Sequence, residues 1–374
     1  IEIPDESQVG KQVIGKEAKD IPIESNPVVR ICRLECNLPE EEKVSSTIAR
    51  LKNNLNDQCQ LKDLDFDYEV MKRLSAVSFE NENKYSFVVW NDQEVIDFAD
   101  SFRQNIYGLA IDVGSSTVAM YLCELITCKV IGYTTFVNPQ IRFGEDIMSR
   151  ASCPKLDVKC LSNMRNALID KINYEIESML LESLLIPNED GSVVAPKDIQ
   201  DVVVVGNTVM HHIFFGFNPI SLGEYPFLPT IKESLNLKAR EVGLNVNPSA
   251  YVYSLPIEAS FVGADNVALL ISEVPYQKTN NEIIIDIGTN GEIIISYDGN
   301  IVSASCATGP ALEGAQLRFG MRAIPGSIER LRIDPDNYNV DCKIIGYDKW
   351  KSELSEDVIE CKGICGSGAI DILA

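Results

Sequence analysis

The chain has 374 residues, 45% of them apolar, which leaves room for two or three domains with sizeable cores and excludes wholesale disorder. Fifty-five acidic against 33 basic side chains give a net charge of −22, which repels phosphate backbones and anionic lipid, so nucleic acid and membranes are excluded as partners. No secretory signal and no apolar run of transmembrane length is present, and the eleven cysteines lack framework spacing; a cytoplasmic protein with reduced thiols is expected.

In chain order, residues 1–26 are polar and proline-punctuated, the composition of a linker. Residues 27–104 read as a small α+β domain. Within it VVRICRLEC alternates like a strand, and PEEEKVSSTIARLKNNL reads as a helix opened by Pro39 and an acidic first turn. YSFVVW reads as a second strand and DQEVIDFADSF as a short helix. Cys32/Cys36 and Cys361/Cys365 are spaced C-x3-C, which matches no common zinc or iron–sulfur pattern.

From residue 105 to 374 the chain is richer in glycine and β-branched residues. GLAIDVGSSTVAMYLCEL is strand, tight turn, strand. Leu161, Met164, Leu168, Ile172, Ile176, Met179 and Leu180 then form one helical stripe. DVVVVGNTVMHHIFFG is a strand, a Gly-Asn turn and a helix. EIIIDIGTNGEIIISYDGNIVSA repeats the strand–turn–strand idea, and GICGSGAIDILA is a Gly-rich turn into a helix. Starting at Ile1 and stopping as that helix opens, the chain reads as a piece of a longer protein, incomplete at its C-terminus. The neighbours His211 and His212 point to different faces of one helix and read as structural, and Trp90 and Trp350 read as packing or interface residues.

The repeat carries the chemistry. AIDVGSSTVAMYL and IIDIGTNGEIIIS align without gaps, matching Asp112 to Asp286 and Gly114 to Gly288, 174 residues apart. A hairpin tip that approaches a polyphosphate must offer backbone N–H groups with no side chain in the way, which Gly114 and Gly288 allow. Ser115, Ser116, Thr117, Thr289 and Asn290 can donate to phosphate oxygens. Asp112 and Asp286 are suited instead to holding Mg²⁺ through water, or to orienting an attacking water. Two such tips facing each other would clamp the β- and γ-phosphates of ATP. No G-x4-G-K-[ST] and no early G-x-G-x-x-G is present, so P-loop and Rossmann readings fail.

The order hairpin, strand–GN–helix, hairpin, Gly-rich turn–helix resembles the phosphate-1, connect-1, phosphate-2 and adenosine segments of the actin, sugar-kinase and Hsp70 (ASKHA) superfamily. That implies an α/β, actin-like, ribonuclease-H-like duplicated nucleotide-binding fold behind the small domain. It also places Asn207, Gly291, Gly366, Ser367 and Gly368 at the nucleotide. VNPQIRFGEDIMSR, VVVGNTVMHHIFFGFNP, GADNVALL, IDIGTNGEI and ATGPALEGAQLRFGMRAIPGSIERLRID together resemble the reductive activators of corrinoid proteins. The resemblance implies an ATPase that couples ATP to reduction of Co(II) to Co(I) in a corrinoid protein partner. Its electrons would come from an N-terminal [2Fe–2S] module that has no C-x4-5-C-x2-C counterpart here, so this chain alone is not expected to reduce anything. The resemblance also allows a homodimer. Ser305, expected on a loop after the second hairpin, is the candidate for a polar group facing cobalt. The alternatives on the same fold are a small-molecule kinase, a polymerising scaffold and the activator of a 2-hydroxyacyl-CoA dehydratase.

Overall fold

Alternating apolar residues build the first strand, β1 (Val29–Cys36), with Cys32 and Leu34 turned into one core. The computed structural model describes residues 26–36, 45–77, 83–144, 146–182, 193–288, 290–307, 318–321, 323–354 and 361–372. All but the last residue of the expected 1–26 linker lies outside these.

The helix expected from Pro39 begins, among the described residues, at Thr47. Helix α1 (Thr47–Cys59) is capped by Ser46, whose side chain accepts the Ala49 N–H at 3.3 Å, and its first turn holds no acidic residue. Pro39 itself lies outside the described residues. After β2 (Asp65–Phe66) and α2 (Tyr68–Leu74) come β3 (Asn83–Trp90) and β4 (Glu94–Ala99), giving a sheet of order β1-β3-β4-β2. The helices bury Leu51, Leu55, Val70 and Leu74 against Phe87 and Val89.

DQEVIDFADSF, expected as a helix, is therefore a correction: it contains β4. Asn91 and Asp92 sit at φ 48° and 56°, and the Gln93 N–H donates to the Trp90 carbonyl at 2.9 Å, a two-residue turn that sends the chain back along β3. Val95, Ile96, Asp97 and Phe98 are all buried, so β4 lacks the alternation that marks a strand with one wet face.

The small sheet is bonded to the larger one that comes after it in the chain. Trp90 stacks on Tyr251 with centroids 4.0 Å apart, Gln200 donates to Asp97 at 3.0 Å, and Asn247 to the Ile96 carbonyl at 3.1 Å. Arg240 pairs with buried Asp67 at 2.9 Å, and Lys238 with Glu94 at 2.6 Å.

That larger sheet is a meander, β5 (Tyr107–Val113), β6 (Thr117–Glu124) and β7 (Lys129–Val137), extended on the β5 side by β8 (Ile199–Gly206). Its order is β7-β6-β5-β8-β10-β9, with β8 parallel to β5, β10 (Tyr251–Ser254) parallel to β8, and β9 (Leu235–Lys238) antiparallel at the edge. Helices α3 (Ile147–Leu156) and α4 (Cys160–Glu182) separate β7 from β8. The α4 stripe from Met164 to Leu180 buries itself with Leu109, Ile111, Val113, Val202 and Val204 as the sequence period requires, while Leu161 packs partly buried at the edge. Helix α5 (Thr208–Phe215) follows β8, and α6 (Ala239–Val242) and α7 (Ala264–Glu273) come after β9 and β10.

Two disulfides, Cys32–Cys59 and Cys153–Cys160, correct the expectation of reduced thiols for those four cysteines, while Cys123, Cys128, Cys306, Cys342, Cys361 and Cys365 are free as expected. His212 accepts the Thr230 N–H at Nε2 (2.9 Å) and places Nδ1 2.8 Å from the Thr208 carbonyl, while burial pushes His211 down to about 3; both stay neutral within the fold.

The remaining strands form two three-stranded sheets. β11 (Glu282–Ile287), β12 (Asn290–Tyr297) and β13 (Asn300–Ala307) run antiparallel. β14 (Ser327–Ile333) lies between β15 (Val340–Ile344) and β16 (Gly363–Ile364), and α8 (Gly366–Asp371) packs on β14. No helix among the described residues is long and apolar enough to cross a membrane.

Candidate functional site

Strand alternation decides which side chains reach the cleft. In β5, Leu109, Ile111 and Val113 enter the core, so Asp112 faces the other way; in β11, Asp286 lies opposite the face of Ile285 and Ile287. Both aspartates line one cavity of about 280 Å³. The first tip contributes Gly114, Ser115, Ser116 and Thr117, and the second Ile287, Gly288 and Asn290. Asn207, Asp265 and Glu292 complete the lining. A Cβ on Gly114 would collide with the Thr117 carbonyl, so the first turn is too tight for a side chain there; one on Gly288 would lie 3.2 Å from the Asn290 carbonyl, a close fit rather than a collision.

The two tips differ in length. Val113 pairs with Val118 across the first, and Ile287 with Gly291 across the second, which is one residue shorter. The gapless repeat therefore holds to the tip and slips beyond it. Asp112 faces Ala119 across its ladder, whereas Asp286 faces Glu292. Glu292 in turn faces Ser305, whose hydroxyl donates to it at 3.1 Å. Ser305 thus stands on β13 rather than on a loop.

Asp265, in the first turn of α7, and Glu292 are lining carboxylates that the sequence did not single out. Both lie inside the motifs GADNVALL and IDIGTNGEI, but in a chain with 55 acidic residues a carboxylate there is a weak signal. Burial, with Glu292, Asp112 and Asp286 close by, pushes Asp265 up to about 7. Burial also raises Glu292, with Asp286 adding to the effect and the Ser305 hydroxyl opposing it. Four carboxylates around one small cavity carry more negative charge than they can neutralise among themselves, and a divalent cation would relieve it. Among the described residues no three His, Cys, Asp or Glu side chains gather closely enough to enclose a metal ion by themselves.

The other expected residues fall elsewhere. Asn207 lines the cavity and also caps α5, its side chain accepting the Met210 N–H at 3.0 Å. Gly291 pairs with Cys306 in the ladder and does not line the cavity. Gly366, Ser367 and Gly368 open α8 away from the cavity lining; a Cβ on Gly368 would stand 2.5 Å from the Ile328 carbonyl, so this glycine lets α8 lie on β14. Thr289 is outside the described residues. A larger opening of about 920 Å³ beside β14 and β15 holds Arg332 and Asp341, which pair with each other at 2.6 Å, and neither hairpin reaches it.

Two Asp-x-Gly hairpins opposed across an acidic cavity, behind a meander extended by parallel strands, are the arrangement of the actin-like, ASKHA fold class. Three family profiles match the chain: the RACo linker region over residues 18–105, the RACo middle region over 107–276, and the C-terminal domain of RACo, the ASKHA domain, over 280–374. The chain belongs to the RACo family.

It is 33% identical over 310 residues to the corrinoid activation enzyme RamQ of Eubacterium limosum, covering 82% of this chain and 48% of that protein. A [Co(II) methylated amine-specific corrinoid protein] reductase of Methanosarcina barkeri is 30% identical over 124 residues, 30% of this chain and 23% of its own length. Among solved structures, a reductive activator for corrinoid, iron-sulfur protein superposes with a TM-score of 0.68 at 29% identity, over 95% of this chain and 54% of its own. The chain spans about half the length of RamQ and of that solved activator.

Proposed function

We propose that this chain is the ATP-binding part of a cytoplasmic reductive activator, which uses ATP to drive reduction of Co(II) to Co(I) in a corrinoid protein. The observation that carries the proposal is the convergence of both hairpin tips and four carboxylates on one cavity. Backbone N–H groups and hydroxyls of Ser115, Ser116 and Thr117 bind the phosphates from one side, and the side-chain amide of Asn290 from the other. Asp112 and Asp286 are the residues that would hold the hydration shell of Mg²⁺, which would supply charge neutralisation to the phosphates. Glu292, steadied by Ser305, orients water beside Asp286. The adenosine role of Gly366, Ser367 and Gly368 belongs to the same reading, whereas the hydroxyl of Ser305 is committed to Glu292 and its expected cobalt-facing role is set aside. No ligand set for an iron–sulfur cluster gathers among the described residues.

The test is ATP hydrolysis by the full-length protein with and without the Co(II) form of a corrinoid protein, with Co(I) followed by absorbance. The reading requires that the partner stimulate hydrolysis and that Co(I) appear only when ATP and a reductant are both present. Hydrolysis indifferent to the corrinoid partner would move the function to the kinases or scaffolds of the same fold.

A further inference from the structure

The first hairpin tip is held from behind by the segment after β7. Asn138 is fully buried; its side-chain amide donates to the Gly114 carbonyl at 2.8 Å, and its backbone N–H to the Ser116 carbonyl at 2.9 Å. Arg150, on α3 and also fully buried, donates through Nη1 to the Ser115 carbonyl at 2.6 Å and through Nε to the Gly144 carbonyl at 2.8 Å. Three consecutive tip carbonyls are therefore each held by a donor on one side. In a trans peptide the N–H points opposite to the C=O. Pulling back the carbonyls of Gly114, Ser115 and Ser116 turns the N–H groups of Ser115, Ser116 and Thr117 the other way, toward the cavity those residues line.

The pair is itself braced by buried Met210 of α5. Met210 Sδ lies 3.6 Å from both the Asn138 amide and Arg150 Nη1, and the Met210 N–H is capped by Asn207, which lines the same cavity. Burying a guanidinium is costly unless its donors are used. Here donors are used on backbone carbonyls of the tip and of Gly144, which fixes peptide orientation.

We infer that Asn138 and Arg150 are positioning residues that set the first tip as an anion-binding nest for the polyphosphate. Neither touches the nucleotide; both act through the tip peptides. The inference rests on the nucleotide reading above and adds to it a specificity for phosphate chain length. Adenosine and its monophosphate draw little on the tip, whereas MgATP depends on it.

The test is calorimetric binding of MgATP and of AMP to the full-length protein and to Arg150→Lys, Arg150→Met, Asn138→Ser and Asn138→Asp. The expected result is a loss of about tenfold or more in MgATP affinity with AMP affinity held within about twofold. Asn138→Asp, whose carboxylate cannot donate to Gly114, should be affected more than Asn138→Ser. Retained AMP binding certifies that a variant is folded. If Arg150→Met fails that criterion, Arg150→Lys and Asn138→Ser carry the test, since each keeps a donor or the local volume. An unchanged ratio of MgATP to AMP affinity in folded variants overturns the inference. Wild-type protein that binds no MgATP overturns the nucleotide reading instead.

Discussion

The two hairpins bring the same Asp-x-Gly turn to the cavity, yet the strands behind them are housed differently. Leu109, Ile111 and Val113 of β5 are 1 to 2% exposed, sealed into the core that α4 and α5 share. Ile283, Ile285 and Ile287 of β11 are 58 to 82% exposed among the described residues. The opposite face of that sheet is covered: Ile294 is fully buried, and Ser303 accepts a hydrogen bond from Asn266 of α7 at 3.0 Å. The polar faces of the two strands line one cavity and so look alike. Their apolar faces answer only to whatever lies behind them. The first half is built for stability, and the second adds the Asp286–Glu292–Ser305 ladder that the first lacks.

The sharpest way to break this comparison is a matched pair of truncations. Ile111→Ala should cost about 3 kcal/mol and Ile285→Ala under about 1 kcal/mol in denaturant unfolding of this chain, because only the first leaves a cavity. Equal costs would show that β11 is as well packed as β5. Next in size, Asp112→Asn and Asp286→Asn in the full-length protein should each lower ATP turnover by roughly 100-fold, since each side of the clamp is needed. A variant of either aspartate that keeps wild-type turnover would make the clamp one-sided.

A third prediction concerns charge. Asp265 is raised from 3.8 to about 7 in the folded protein, so the native state binds more protons than the unfolded state between those values. Without nucleotide or metal, the contribution of Asp265 to stability therefore falls as pH rises from about 4 to 7, on top of a same-sign contribution from buried Asp201 and an opposing one from His211 and His212, so the test is the difference between variant and wild type. Asp265→Asn should flatten that slope and stabilise the protein by roughly 2 kcal/mol at pH 8, as read from unfolding midpoints across pH. A variant with the wild-type slope would remove Asp265 from the account. The smallest effect is expected at the ladder. Ser305→Ala should lower turnover about fivefold through Glu292, and Ser305→Thr, which keeps a hydroxyl, should restore most of it. An alanine variant with full turnover would leave Ser305 no role at Glu292.

What could be read from sequence came from periodicity and turn chemistry. The α4 stripe, both hairpins and the Gly-Asn turn before α5 stand where their spacing places them. β4 was missed because it is buried on both faces, and its Glu and Asp residues imitate a helix; the signal was the Asn91–Asp92 turn. Asp265 and Glu292 were missed for a different reason. Among 55 acidic residues a carboxylate acquires meaning only when the fold gathers it with others. The one-residue slip beyond the second tip, which sets Glu292 opposite Asp286, is invisible to a gapless alignment. Asn138 and Arg150 act on backbone carbonyls, and no residue pattern marks such a contact in advance.

The central claim is that the metal-bound phosphates of ATP lie between the two tips. The most direct measurement replaces Mg²⁺ by Fe²⁺ in the nucleotide complex of the full-length protein, starts local backbone cleavage with ascorbate and peroxide, and locates the cuts by mass spectrometry. The account predicts ATP-dependent cuts at both tips, around residues 112–117 and 286–292. Cuts at one tip alone, or elsewhere in the chain, would contradict it.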